Sequence, residues 1–87
     1  MTWTPITGSA KSALEGVEFG MTNGKAQRRC FISQHEIDKW AAHVGKIDQR
    51  IAFDLFHKHA DEIYAAAARL LDERPSGDLT ITAENRQ

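Results

Sequence analysis

The chain has 87 residues, 41% of them hydrophobic and 26% charged, with a formal net charge of −1. That composition is ordinary for one globular domain, and so even a charge balance argues against an electrostatic footprint for nucleic acid. A single cysteine cannot form an internal disulfide or build a cysteine-rich zinc site. With no signal-peptide pattern and no apolar run of membrane-spanning length, the expected setting is cytoplasmic.

Residues 1–15 carry the weakest pattern. Trp3 to Ile6 reads as a short edge strand, where Pro5 is tolerated. Gly8-Ser9-Ala10 reads as loop, and Ser12 to Glu15 as one helical turn. The next stretch is the most legible. Val17, Phe19 and Met21 alternate with Glu18, Gly20 and Thr22, the period of a strand with one buried face. Asn23-Gly24 then predicts a two-residue hairpin turn. In that register Met21 lies opposite Ala26, Phe19 opposite Arg28, Val17 opposite Cys30, and Glu18 opposite Arg29.

Ser33-Gln34-His35-Glu36 has the form of a capping box, with Ile32 and Ile37 as its hydrophobic staple. Ile37, Trp40, Ala41 and Val44 follow at i, i+3, i+4 and i+7, which predicts a helix stopped by Gly45. Asp48 is a suitable N-cap for a second, long helix. Its apolar face runs through Ala52, Phe56, His59, Ile63, Ala66, Ala67 and Leu70, flanked by Phe53, Tyr64, Leu71 and Leu55. Arg74-Pro75 ends it. Leu79 to Ala83 alternates again as a third strand, and Glu84 to Gln87 reads as a frayed polar tail. The expectation is one α+β domain of order β-β-α-α-β. A small antiparallel sheet, made of the hairpin, the C-terminal strand and a short N-terminal edge strand, is packed on one face by two helices.

Chemistry-bearing residues are few. Cys30 falls on the apolar face of the hairpin and His59 on the apolar face of the long helix. A Cys–His pair is a nucleophile with its base, but a thiol in apolar surroundings is inert. Arg28 also falls on the sheet's apolar face. Arg28, Cys30 and His59 are therefore the candidates for a pocket between sheet and helices. His35, His43, His57 and His59 have no metal-ligand spacing, and no HExxH pattern or phosphate loop is present. No catalytic, cofactor or metal residue is assigned. Lys25, Arg28 and Arg29 form a small basic group. It lacks a stacking platform for nucleic acid, since Phe31 is the only aromatic with outward parity. Trp3, Phe31, Phe53 and Tyr64 are the candidates for an interface.

With these residues laid out, the chain resembles the bacterial family catalogued as domain of unknown function 1488. The matching features are Val17-x-Phe19, Asn23-Gly24, and Cys30-x-Ile32-Ser33 leading into a helix. Phe56, His59, Ile63 and an alanine at 66 or 67 continue the match, and a strand-like segment near Leu79 to Thr82 closes it. The family's tryptophan and acidic residue before the first strand are replaced here by Ala13-Leu14-Glu15. The resemblance implies a compact α+β fold, a bacterial cytoplasmic setting and no established activity, and it transfers no catalytic residues.

Three functional readings follow. The first is a non-enzymatic interaction or regulatory module, with a homodimer as one form. The second is a small-molecule binder or enzyme using a pocket near Cys30, Arg28 and His59, which requires an activated thiol. The third is nucleic-acid binding through Lys25, Arg28 and Arg29.

Overall fold

A computed structural model describes residues 2–74 and 76–85. Its elements are β1 (Thr4–Pro5), β2 (Lys11–Ala13), β3 (Gly16–Thr22), β4 (Gln27–Ser33), α1 (Gln34–Trp40), α2 (Gln49–Lys58), α3 (Ala60–Glu73) and β5 (Leu79–Ile81), followed by a 3-10 turn at Ala83–Asn85. The fold is α+β, as expected, with the helices packed on one face of a small sheet. The sheet is ordered β1-β3-β4-β5, and β2 shares the β1 edge of β3. Val17, Phe19, Met21, Cys30, Ile32 and Ile81 point from it into the core, where they meet Trp3, Ile37, Trp40, Ala52, Phe56, Ile63, Ala66, Ala67 and Leu71.

The sheet is mixed rather than antiparallel. β5 runs parallel to β4, in the register Cys30↔Leu79 to Ile32↔Ile81. The three helices supply the long crossover that a parallel pair needs.

The hairpin keeps its predicted faces in a different register. Thr22 pairs with Gln27, so the loop is Asn23 to Ala26, and Phe19 lies opposite Cys30 and Val17 opposite Ile32. A two-residue type I′ turn would need positive φ at both central residues. Here Gly24 has it (φ 91) and Asn23 does not. Asn23 instead accepts hydrogen bonds through Oδ1 from the amides of Lys25 (2.9 Å) and Ala26 (2.8 Å), the local bonding that makes asparagine a turn residue. The wider loop lets all of β3 pair with all of β4 and buries Ile32 against Val17. A shift of two residues leaves every side chain on its original face.

Other expectations are corrected by packing. Ser12 to Glu15 is not a helical turn, because Lys11–Ala13 pairs with β3 and Leu14-Glu15 forms the turn, with Glu15 at φ 63. The first helix stops at Trp40, which is buried. Ala42 takes φ 51, and the amides of Ala42 and His43 cap Lys39 and Asp38. Val44 therefore stands 92% exposed and not on a helical face. Half of the capping box forms at its start: the amide of Glu36 donates to Ser33 Oγ at 3.2 Å, while the Glu36 carboxylate turns to the Ala83 amide and Lys39 rather than back to the Ser33 amide.

The single long helix is two helices that meet at His59, where φ is −110. A straight helix from Gln49 to Glu73 would run about 37 Å, whereas a seven-residue strand spans about 23 Å. Phe56 before this break and Ile63 after it are both fully buried. Asp48 caps α2 by accepting from the Ile51 amide at 2.8 Å. Leu71, expected at the flank, is buried, and Leu70 is half-buried. Near the C-terminus, Arg69 donates to the Asn85 carbonyl at 2.7 Å and the Ala83 amide donates to Glu36 at 2.7 Å. Residues 86–87 of the expected tail lie outside the described residues.

Candidate functional site

The three expected pocket residues fall on two elements, Arg28 and Cys30 on β4 and His59 at the junction of α2 and α3. Cys30 is completely buried on the helix side of the sheet. Burial, then the charge of Asp78, pushes its thiol from 9.0 up to about 12, the opposite of an activated nucleophile. His59 sits at the junction of α2 and α3, where its Nδ1 lies 3.7 Å from Glu62 Oε2. The same carboxylate oxygen accepts from the indole N–H of Trp40 at 3.1 Å. His59 and Cys30 make no hydrogen bond with each other among the described residues. Arg28 lies near the hairpin tip, opposite Met21, and donates to the Gln27 carbonyl at 2.7 Å.

The interface candidates also divide. Trp3 is a core residue, 4% exposed. Phe53 and Tyr64 are half-buried and engaged within the chain: Phe53 stacks edge-on against His57 at 4.5 Å, and Tyr64 meets Phe19 at 5.2 Å. Burial, and then Asp61, raises the pKa of Tyr64. Phe31 alone faces away from the helices. Its ring lies over Gly16, where an added Cβ would fall 2.6 Å from Phe31 Cζ and against the Ile32 carbonyl. Glycine on β3 thus creates a notch that β4 fills. Gly20, one pleat further along the same face, makes a second notch. It is filled by Ile6 and Ser9 of the β1–β2 connection, whose Ser9 Oγ accepts from the Gly20 amide at 2.9 Å.

Between these filled notches the open face carries a row of charge. Lys11 on β2 lies 3.6 Å from Glu18 on β3, and Arg29 on β4 lies 3.5 Å from the same Glu18 oxygen. Asp78 stands one residue before Leu79, which pairs with Cys30, and so lies beside Arg29 at the mouth of β5. The signs read plus, minus, plus, minus from β2 through β3 and β4 to the residue before β5, with Arg29 and Asp78 one pleat nearer the hairpin tip than Lys11 and Glu18. Lys11, Glu18, Arg29 and Asp78 line one open groove of about 510 Å³, and the predicted pocket residue Arg28 lines it at the hairpin-tip end. Lys11 and Arg29 project strongly, with side chains 69% and 67% exposed, while Glu18 is 26% exposed between them. Among the described residues no group of three or more His, Cys, Asp or Glu is gathered as for a metal ion.

Sequence reasoning placed Arg29 and Glu18 on this face and missed the two ends of the row. Lys11-Ser12-Ala13 has no apolar alternation to mark it as a strand. The position of Asp78 depends on β5 running parallel to β4, which no local pattern encodes.

No family model matches the sequence, and no curated protein matches it. Among solved structures, a protein of unknown function from the DUF1488 family of Shewanella loihica PV-4 has a similar architecture. It gives a TM-score of 0.78 at 16% identity, over 92% of this chain and 91% of that one. This chain has the DUF1488 fold. The resemblance read from the hairpin and helix motifs is therefore matched in three dimensions. At this level of identity the DUF1488 likeness speaks for architecture, and it brings no activity with it. No helix of the described residues is long and apolar enough to cross a membrane.

Proposed function

We propose that this chain is a non-enzymatic protein-interaction module of the bacterial cytoplasm, and that its docking surface is the open face of the sheet. The observation that supports this most is the alternating row Lys11, Glu18, Arg29, Asp78 along a groove on the face the helices leave bare. Charges of both signs, set at strand spacing, suit a polypeptide partner, which carries both signs itself. A phosphate backbone would meet Glu18 and Asp78 as repulsion, so nucleic acid is the poorer fit. A chemical role for Cys30 is disfavoured by its burial and raised pKa. The buried thiol is compatible with a reducing compartment.

The test uses the tagged full chain as bait in bacterial cytosol, beside the double variant Lys11→Glu with Arg29→Glu. Both substitutions are on exposed side chains, and circular dichroism checks that the variant is folded. The expected result is a stoichiometric protein that the wild type retains and the variant loses. Retention of the same protein by both baits would place the contact elsewhere. An eluate containing a bound small molecule or nucleic acid in place of protein would overturn the reading.

A further inference from the structure

Reversing the order of the charged row turns plus, minus, plus, minus into minus, plus, minus, plus. Every position then meets its opposite. A twofold axis lying in the plane between two such faces performs this reversal. It sets Lys11 against Asp78 of the other copy and Glu18 against Arg29 of the other copy, each twice. The axis passes between Glu18 and Arg29, beside Phe31, which pairs directly with Glu18 across the sheet. The two Phe31 rings therefore flank the axis, with the charged pairs around them. An isologous interface needs this kind of self-complementary patch. Face-to-face sheet packing is a standard way to cover an open sheet.

We infer that the open face of the sheet docks a second copy of this chain, matched by its charge row. The inference rests on the reading of this face as the interaction surface and names the partner. The row is solvent-exposed and polar, so the dimer is weak, salt-sensitive and reversible.

The experiment is sedimentation equilibrium of the full chain, from micromolar to millimolar concentration, at low and high salt. The wild type is expected to dimerise at low salt and to weaken as salt rises. Glu18→Arg alone, or Arg29→Glu alone, places like charges together twice and weakens the dimer by about tenfold or more. The double exchange Glu18→Arg with Arg29→Glu orders the row plus, plus, minus, minus. That order also meets its opposite on reversal, so the double variant regains the association that each single variant loses. A wild type that stays monomeric at low salt overturns the inference. So does a dimer indifferent to the single variants, or a double variant no better than either. If the wild type is monomeric but Lys11→Glu with Arg29→Glu still abolishes capture of a different protein, the face remains the interaction surface and only the second copy is wrong.

Discussion

Cys30 shows how position decides chemistry at the scale of one residue. The same thiol on an exposed loop near a cation would be a candidate nucleophile; under the sheet it is a small core side chain. Its raised pKa makes stability fall at high pH, with a definite sign. Below about pH 9 the folded and unfolded chains both hold the thiol proton, and Cys30 adds no pH dependence. Between 9.0 and about 12 the unfolded chain releases the proton while the folded chain keeps it. The unfolded state then binds fewer protons, so stability declines by up to about 1.4 kcal/mol per pH unit over that window. Tyr64, raised by burial and by Asp61, adds a slope of the same sign. Denaturant titrations of wild type and Cys30→Ala across the alkaline range separate the two contributions. The variant is expected to be less stable at neutral pH and to lose stability less steeply above pH 9. Equal slopes for the two proteins would remove Cys30 from the account.

Elements were legible in the sequence where a local rule is strong, and obscure where distant strands decide. Ser33 and Asp48 cap helices as predicted because a cap is a contact within three residues. The faces of β3 and β4 were legible because alternation fixes parity. Their register was not, because it depends on whether Asn23 enters the left-handed region or bonds the amides beyond it. The break at His59 was invisible for a related reason. No glycine or proline marks it. Asn23→Ala tests the hairpin account directly. It removes the acceptor for two loop amides, and a loss of about 1 kcal/mol is expected. This would appear as a lower denaturant midpoint with an unchanged slope. A variant as stable as wild type would show that the loop is set by Gly24 and Thr22 instead.

On the scale of the whole molecule, composition excluded more than it revealed. The α+β class followed from counting faces that needed cover, and the DUF1488 likeness agrees with it. The charge row was not legible, since three of its members come from three strands and the fourth precedes another, one strand unrecognised and one paired in an unexpected direction. Small domains bury only roughly 60–65% of their unfolded surface, and one sheet face here has no helix over it. The central claim is that this bare face is where one copy of the protein docks on another. The most direct measurement is a set of amide NMR spectra of the full chain at rising concentration and low salt. The account predicts shifts on the open face, at the amides of Lys11, Glu18, Arg29, Phe31 and Asp78, with Asp54 and Arg69 on the helices unmoved. Shifts centred on the helices, or spectra unchanged up to millimolar protein, would contradict it.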